Sequence, residues 1–381
     1  MKVFIMSISA GGGHMRAANA LKAHILLDDP NSNVMIIDTL KYINPMLDKL
    51  IIGSYLKSLK IYPSAFGALY NHAERGDGLS SVSSRFNELM GVRLLPLINA
   101  FDPDIIVSTH PFCNDMISTL KLRGLIACPT ISIMTDFAPH SFWLHPGIDK
   151  YIVSNMDMKQ EMVLRGIPND IIYDFGIPVS PDFLQYHDKK ETLTSLNLDS
   201  EKFTILLMGG SLGIGNILEV YNLLQELPLD FQIIIICGSN EKLSSTLSIE
   251  AETSSKATKV IGYTKNVNMY MQCADLLLTK PGGLTISEAL ICNTPIGIFS
   301  PLPGQEEKNA EFLLRHNLAI DLLNGNDCKQ TLCYTLSHPN VLLNIKEKSK
   351  FFSRPLAGRN ILHLLTKLYN HSPKKASYLE N

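Results

Sequence analysis

The feature that most constrains the fold of this chain is a series of short apolar runs, each followed by a turn and a helix-like stretch. The runs show no alternation of polar and apolar residues. Strands that are apolar on both faces are typical of parallel sheets that helices cover on each side. Alternation of such strands with helices predicts doubly wound α/β domains. The predicted strands are residues 3–7, 34–37, 105–107, 130–134, 150–153, 171–175, 203–208, 232–237, 259–261, 274–278, 295–299 and 319–322.

The runs form two series, and each series opens with a strand and a glycine-rich turn. We therefore predict two Rossmann-like domains, at residues 1–178 and 179–350, followed by a C-terminal helix and polar tail at 351–381. The prolines of segment 176–181 stop regular structure and mark the linker. Ligands of such domains bind outside the carboxyl ends of the strands. We expect these ends of both sheets to face a cleft, so the site should lie in the loops that follow the strands.

The composition excludes several classes of protein. Hydrophobic residues make up 45% of the 381 residues and charged residues 18%, which rules out an intrinsically disordered chain. A formal net charge of -2 and a pI near 6.6 argue against a general nucleic-acid binder. The seven scattered cysteines contain no C-x-x-C pair, so neither a disulfide framework nor a structural zinc site is expected. The sequence shows neither a signal peptide nor a run of ~18 apolar residues. We therefore expect a cytoplasmic protein that does not cross a membrane.

The first glycine-rich turn, residues 9–14, ends in a histidine at the start of a predicted helix. Gly12 and Gly13 let the backbone approach a ligand closely, and the helix N-terminus favours an anion or a hydroxyl. The turn is not a P-loop, because no Lys-Ser/Thr pair follows, and Arg16 stands where the dinucleotide fingerprint has its third glycine. The helix dipole lowers the pKa of His14, which favours the neutral imidazole of a general base. A histidine that caps the helix is the alternative.

The second domain opens with a similar turn, in which Gly210 and Ser211 are suited to an anion. Residues 279–289 are more informative, because their glycines open a helix after a predicted strand. The N-terminus of this helix is suited to a diphosphate, and Lys280 adds a positive charge. Glu288 lies one turn into the helix, where it can accept hydrogen bonds from both hydroxyls of a ribose. The alternative is a glutamate that caps the first turn of the helix. Further candidates in this segment are Gly282, Gly283 and Thr285.

A third segment, residues 301–310, joins a Pro/Gly turn to a helix with a polar first turn. The side chains of Gln305, Glu306 and Asn309 suit a sugar, because a sugar needs several directional hydrogen bonds. The alternative is an ordinary polar helix start. We regard these three residues as candidate sugar contacts.

The loop after the predicted strand 130–134 combines Asp136, His140 and the only tryptophan of the chain, Trp143. Such a group at the carboxyl edge of a sheet is suited to an acceptor site. A tryptophan that anchors the loop by packing is the alternative. The histidines show no H-E-x-x-H or H-x-H spacing and no G-x-S-x-G elbow is present, so neither a metal site nor a serine nucleophile is predicted.

Taken together, these motifs resemble those of the bacterial processive diacylglycerol glucosyltransferases and the plant monogalactosyldiacylglycerol synthases. That group is similar to the GlcNAc transferase of peptidoglycan lipid synthesis. The resemblance spans nearly the whole chain, with the motifs in the same order and in both domains. The residues that carry it are Gly11, Gly12, Gly13, His14, 134–137, His140, Trp143, 280–283, Thr285, Glu288, 303–306 and Asn309.

The resemblance implies a GT-B fold and inverting transfer of a hexose from a UDP-sugar to diacylglycerol, with UDP-glucose favoured over UDP-galactose. The N-terminal domain would bind the acceptor, and His14 would deprotonate its hydroxyl. The implied acceptor contacts are Gly12, Gly13, Asp136, His140 and Trp143. No metal or other cofactor is implied, because lysine and helix dipoles can neutralise the leaving UDP.

The C-terminal domain would bind the UDP-sugar if the resemblance holds. Gly210 and Ser211 would contact the diphosphate, and Glu288 would contact the ribose. Tyr263 and Thr264 would flank the uracil. The remaining implied donor contacts are Lys280, Gly282, Gly283, Thr285, Gln305, Glu306 and Asn309, of which the last three would meet the sugar or its phosphates.

Two loops depart from the family pattern. The first glycine loop does not identify the sugar, and residues 209–212 are closer to the loop of the peptidoglycan enzyme, which leaves the acceptor open. The alternatives are transfer of GlcNAc to a polyprenyl-linked lipid, a UDP-GlcNAc 2-epimerase, and a non-catalytic UDP-sugar sensor.

An acceptor in a bilayer requires a membrane-binding surface on the N-terminal domain, and the best candidate is segment 41–62. If this segment is helical, it has an apolar stripe and a basic face, as in helices that lie at the headgroup level. The stripe is Leu47, Ile51, Tyr55 and Leu59, and the basic residues are Lys49, Lys57 and Lys60. A helix packed on the core with solvated lysines is the alternative. We expect a peripheral protein on the anionic inner face of the cell membrane, with no nucleic-acid partner.

Overall fold

The computed structural model describes residues 1–9, 12–44, 90–213, 215–323 and 327–371. The predicted membrane-binding surface lies outside these residues and stays a prediction. Its members are Leu47, Lys49, Ile51, Tyr55, Lys57, Leu59 and Lys60. Within the described ranges, no helix is both long and apolar enough to cross a bilayer.

The chain divides into two compact units. One unit comprises Met1–Pro181 together with Leu356–Asn381, and the other comprises Asp182–Pro355. The predicted boundary after residue 178 lies close to the first division. The C-terminal helix, predicted as part of a separate segment, belongs to the N-terminal unit.

The N-terminal unit contains a six-stranded sheet whose strands are β1 (Lys2–Ser7), β2 (Asn33–Asp38), β3 (Ile105–Ser108), β4 (Thr130–Ile133), β5 (Lys150–Ile152) and β6 (Ile172–Tyr173). Their order is β2-β1-β3-β4-β5-β6, and all neighbours are parallel. Phe4 and Met6 lie in one buried cluster, whereas Val3 and Ile5 lie in another. Both faces of the sheet are therefore covered, which explains why the apolar runs do not alternate.

Helices cover this sheet and include a segment from the end of the chain. The described helices before the second unit are α1 (Gly13–Asp28), α2 (Thr39–Ile43), α3 (Leu95–Phe101), α4 (Pro111–Leu122) and α5 (Met156–Leu164). The C-terminal helix (Ala357–Asn370) packs against α1. A Cβ at Gly358 would lie 2.2 Å from the ring of His24, so this close approach requires glycine.

The C-terminal unit repeats the architecture with the strands β7 (Thr204–Met208), β8 (Gln232–Ile236), β9 (Thr258–Ile261), β10 (Leu276–Thr279), β11 (Ile296–Ile298) and β12 (Ala319–Asp321). Their order is β12-β11-β10-β7-β8-β9, again with parallel neighbours. The helices are α6 (Lys189–Ser195), α7 (Ile217–Gln225), α8 (Glu241–Glu252), α9 (Val267–Cys273), α10 (Gly283–Cys292), α11 (Gln305–Arg315), α12 (Cys328–Ser337) and α13 (Pro339–Phe352). The C-terminal helix is α14.

The predicted α/β class is confirmed, and every predicted strand overlaps an observed one. The ends differ by a few residues. The strand predicted at 274–278, for example, begins at Leu276, because Ala274 is still the C-cap of α9. The carboxylate of Asp275 accepts hydrogen bonds from the ammonium of Lys189 and from the N–H of Thr204. These contacts position β10 beside β7.

Candidate active site

The strand orders place a topological switch point in each sheet, between β1 and β3 in the N-terminal unit and between β7 and β10 in the C-terminal unit. Ligands of open α/β sheets bind outside the carboxyl ends of the strands at such points. Ten of the predicted site residues come after these strands: Gly12, Gly13 and His14 after β1, Gly210 and Ser211 after β7, and Lys280, Gly282, Gly283, Thr285 and Glu288 after β10. The topology therefore brings them to the two positions where this fold binds ligands.

His14 lies in the first turn of α1, whose N-cap Gly12 has a left-handed φ of 83°. Its Nδ1 is 2.9 Å from the carbonyl oxygen of Thr109 and 2.8 Å from Oγ1 of Thr135. A carbonyl oxygen only accepts hydrogen bonds, so Nδ1 carries the proton and Nε2 keeps its lone pair. The side chain of His14 contacts these two threonines and does not cap α1, so the capping alternative is not supported.

The neutral state of His14 has a different cause from the one expected. Burial lowers the pKa of His14 to about 4, and the hydrogen bond to Thr109 opposes this shift. The sequence points to the helix dipole, whereas the main cause is desolvation, which disfavours the charged imidazolium. The ring of His110 meets that of His14 edge-on, with 4.5 Å between centroids. Burial, and then repulsion by a charged His14, hold the pKa of His110 well below its usual value.

The partners of His14 are residues to which the sequence analysis gave no role. Thr109 is 95 positions away in sequence and Thr135 is 121 positions away, so no local motif joins them to His14. Their positions just after β3 and β4 could have identified the two threonines, because the carboxyl ends of parallel strands meet at one edge of the sheet. The hydroxyl of Thr109 also donates to Oγ of Ser7 at 2.9 Å, which ties the ends of β1 and β3 together.

The loop after β4 is a packed part of the unit. Trp143 is 1% exposed and lies in the hydrophobic core, so it offers a ligand almost no surface. His140 is buried, and its Nδ1 accepts the N–H of Phe142 at 3.2 Å as the cap of the short helix Ser141–Trp143. Asp136 is also buried. This placement supports the packing alternative for Trp143 over the predicted acceptor contact, and it gives His140 a capping role.

The turn after β7 contains three described glycines with positive φ, Gly210 (72°), Gly213 (55°) and Gly215 (120°). A Cβ at Gly213 would lie 2.1 Å from the carbonyl oxygen of Cys237, so Gly213 is needed for packing against the next loop. The carbonyl of Ser211 accepts the N–H of Ser239 at 3.0 Å. No atom of the described chain comes within 4 Å of a Cβ built at Gly210. Gly210 is therefore the glycine of this turn that is placed to approach a ligand.

Helix α10 begins after Gly282 without a side-chain cap. The first N–H groups of a helix have no acceptor within it, so the backbone of Gly283 and Thr285 is available to an anion. Glu288 lies on the second turn and is 2% exposed. In this structure Glu288 therefore offers a ligand almost no surface, and the ribose contact stays a prediction.

Lys280 and Glu306, predicted as separate donor contacts, form an ion pair with 3.2 Å between Nζ and Oε1. The second oxygen of Glu306 accepts the N–H of Leu302 at 2.7 Å. Lys280 is buried. The pair therefore joins the end of β10 to the turn before α11 and places a cation next to the N-terminus of α10.

Asn309 is fully buried, and its Nδ2 donates to the carbonyl oxygen of Pro281 at 3.0 Å. This hydrogen bond thus links α11, which contains Asn309, to the segment that leads into α10. This contact gives Asn309 a positioning role and does not support the predicted direct contact with the sugar. Gln305, the first residue of α11, is partly exposed and follows Gly304, which has a left-handed φ of 93°.

The predicted uracil contacts follow β9, at one edge of the second sheet. Tyr263 is 69% exposed, so its ring is accessible for stacking. The hydroxyl of Thr264 accepts the N–H of Asn266 at 3.0 Å and fixes the turn. These residues are two strands away from β7, on the side opposite β10.

Comparison with known families agrees with the motifs. Residues 14–179 match the family described as monogalactosyldiacylglycerol (MGDG) synthase, and residues 204–338 match the glycosyltransferase family 28 C-terminal domain. The chain is a UDP-sugar-dependent glycosyltransferase. The resemblance drawn from the motifs is thereby confirmed, since the two matches fall on the two units.

Relatives of this glycosyltransferase match along nearly its whole length. It is 28% identical, over 383 aligned residues, to a processive diacylglycerol beta-glucosyltransferase of Bacillus thuringiensis (strain Al Hakam) and to one of Bacillus cereus (strain AH820). Each alignment covers 99% of this chain and 97% of the relative.

Solved structures confirm the GT-B fold. MurG of Acinetobacter baumannii superposes with a TM-score of 0.61 at 15% identity, covering 96% of this chain and 99% of MurG. The UDP-GlcNAc 2-epimerase of Neisseria meningitidis, bound to UDP-GlcNAc, gives a TM-score of 0.59 at 14% identity, covering 96% of this chain and 100% of the epimerase. Since an epimerase has this fold too, the fold itself does not identify the reaction.

Proposed function

We propose that this glycosyltransferase moves a hexose, glucose in preference to galactose, from its UDP-sugar to diacylglycerol with inversion at the anomeric carbon. The observation that carries the proposal is the state of His14, a part-buried residue whose Nδ1 proton is held by the carbonyl of Thr109. Its pKa of about 4 keeps it neutral at pH 7, as deprotonation of a hydroxyl requires. The relatives named as diacylglycerol glucosyltransferases support the choice of sugar and acceptor.

In the proposed reaction, Nε2 of His14 takes the proton of the lipid hydroxyl as the hydroxyl oxygen attacks the anomeric carbon. The new carbon–oxygen bond forms while the bond from that carbon to the phosphate oxygen breaks, and UDP leaves with the bonding electrons. A single displacement inverts the configuration at this carbon. His14 then releases the proton to solvent.

We assign UDP to the C-terminal unit. The buried ammonium of Lys280 and the first N–H groups of α10 are suited to the charge that develops on the leaving UDP, because fixed donors in a partly dry site need no reorganisation. These groups make a metal ion or other cofactor unnecessary in the proposed reaction. The proposed contacts are Gly210 and Ser211 with the diphosphate, Glu288 with the ribose, Gln305 and Glu306 with the sugar, and Tyr263 and Thr264 with the uracil.

The acceptor determines where the enzyme would work. Diacylglycerol resides in the bilayer, so we propose peripheral attachment to the cytoplasmic face of the cell membrane. The candidate surface remains segment 41–62, whose basic residues suit an anionic leaflet. Sedimentation with anionic vesicles at low salt, weaker with neutral vesicles and lost when Lys49, Lys57 and Lys60 are replaced by Glu, would support this attachment.

The proposed function is tested by incubating the protein with radiolabelled UDP-glucose, UDP-galactose or UDP-GlcNAc and vesicles that contain diacylglycerol, with polyprenyl phosphate lipids in a parallel set. We expect label in glycosyl-diacylglycerol, most of it from UDP-glucose. Label in the polyprenyl lipid from UDP-GlcNAc, epimerisation of UDP-GlcNAc without lipid, or donor binding without turnover would each replace the proposal by one of its alternatives.

A further inference from the structure

The Nδ1 proton of His14 lies between two oxygen atoms from different strand ends. The carbonyl oxygen of Thr109 is 2.9 Å away and the hydroxyl oxygen of Thr135 is 2.8 Å away. The carbonyl fixes the proton on Nδ1, and because Nδ1 then has no free lone pair in the ring plane, the Thr135 oxygen also accepts from it. Thr135 is buried, so water does not readily substitute for its hydroxyl.

We propose that Thr135 is a positioning residue for the base His14, whose imidazole its hydroxyl orients and whose charged form it stabilises during the transfer. This inference rests on the proposed role of His14 as the base. A single acceptor leaves the ring free to pivot about one hydrogen bond, whereas acceptors on two sides hold the plane of the imidazole. Rigid support of this kind keeps a catalytic group within the narrow geometry that proton transfer needs.

The electrostatic part of the proposal follows from the burial of the imidazole. Removal of a proton from the lipid hydroxyl makes His14 an imidazolium in a site that disfavours charge. A hydrogen bond to a charged donor is stronger than one to a neutral donor, so the Thr135 hydroxyl contributes more to the transition state than to the resting enzyme. The ring of His110, which packs against His14, supplies no negative charge.

The test compares Thr135→Val, which keeps the branched shape but removes the acceptor, with Thr135→Ser, which keeps the hydroxyl. We expect Thr135→Val to lower kcat about tenfold with little change in the KM for the UDP-sugar, and Thr135→Ser to recover most of the loss. The acid limb of the pH–rate profile should move to lower pH in Thr135→Val, because an imidazolium with fewer partners loses its proton more readily. An unchanged kcat and an unchanged acid limb would overturn the proposal.

A double-mutant cycle separates this inference from the proposed function. In the His14→Ala background, Thr135→Val should have no further effect on kcat, since it acts through His14. If His14→Ala is inactive but Thr135→Val is fully active, Thr135 is not a positioning residue while the base assignment stands. If His14→Ala is fully active, the base assignment itself is wrong.

Nitrogen NMR of the His14 ring keeps the test informative if Thr135→Val is too unstable to assay. In Thr135→Ser the Nδ1–H tautomer and its titration should match those of the wild type. In Thr135→Ala the titration should shift to lower pH. Identical ring titrations in the wild type and in Thr135→Ala would contradict the proposal.

Discussion

At the scale of single residues, the candidate base depends on backbone atoms as much as on side chains. The carbonyl of Thr109 selects the tautomer of His14, and burial keeps its imidazole neutral. No carboxylate is needed to orient this histidine. The selecting group is a main-chain carbonyl, so a substitution at Thr109 leaves the tautomer unchanged.

The first prediction concerns removal of the base. His14→Ala should lower kcat by roughly 10² or more, which is the usual cost of losing general-base catalysis. The affinity for UDP should barely change, because the proposed nucleotide contacts lie in the other unit. Steady-state kinetics and UDP calorimetry check both parts. The exposed histidine of α14 gives the control His363→Ala, which should be fully active, and near-normal turnover of His14→Ala would end the base assignment.

The second prediction concerns stability in acid. The pKa of His14 is about 4 in the folded protein and 6.5 in the unfolded chain, so the unfolded state binds more protons between these values. The free energy of unfolding of the N-terminal unit should therefore fall as the pH is lowered from 6.5 to 4, with at most about 1.4 kcal/mol per pH unit from this histidine. Buried His110 acts in the same direction.

Urea denaturation across this pH range measures the effect. His14→Ala should show a shallower loss of stability in acid than the wild type, whereas His363→Ala should follow the wild type. Equal slopes for His14→Ala and the wild type would show that His14 is not buried as a neutral group.

At the scale of elements, two contacts fix the starts of α10 and α11 relative to each other. The ion pair of Lys280 with Glu306 joins the end of β10 to the turn before α11. The hydrogen bond from Asn309 to the carbonyl of Pro281 holds the entry to α10. The start of α10, proposed to face the leaving UDP, is thus supported by the next helix along the chain, to which it is connected through β11.

The third prediction tests this support. Asn309→Ala should lower the free energy of unfolding by about 1–3 kcal/mol, because it leaves the buried carbonyl of Pro281 without this donor. UDP affinity should fall by up to about tenfold, a cost of about 1.4 kcal/mol, as the start of α10 loses its support. Asn344→Ala on the exposed face of α13 is the matched control. A stable variant with unchanged UDP affinity would show that α10 does not depend on this contact.

The fourth prediction concerns the ribose. Glu288→Ala should weaken the binding of UDP and of UDP-sugars alike by about 1.5–3 kcal/mol, the value of a hydrogen bond to a charged group. Calorimetry on the variant and on Glu347→Ala, a change on the exposed surface of α13, measures the difference. Unchanged UDP binding by a folded Glu288→Ala protein would refute the ribose contact.

At the scale of the whole molecule, the sequence was sufficient for the two doubly wound units and for the turns that carry His14, Gly210 and Lys280. These features are local, because short apolar runs predict buried strands and clusters of glycine predict turns from residues that are close in sequence. The inward placement of Asn309 was not predictable, since a polar residue near a helix start has the same sequence pattern whether it faces a ligand or the core, and for Trp143 the sequence left packing and ligand contact open. Contacts such as that of Thr135 with His14 depend on which strands become neighbours, which needs the sheet order.

The measurement that tests the proposed reaction most directly is the anomeric configuration of the glycolipid formed from UDP-α-glucose and diacylglycerol, followed by proton NMR during the reaction. A single displacement assisted by His14 predicts a β-linked product from the first turnover, with formation at least about 10² slower in His14→Ala. An α-linked glycolipid, or β-linked product at an undiminished rate in His14→Ala, would contradict a direct displacement with His14 as its base.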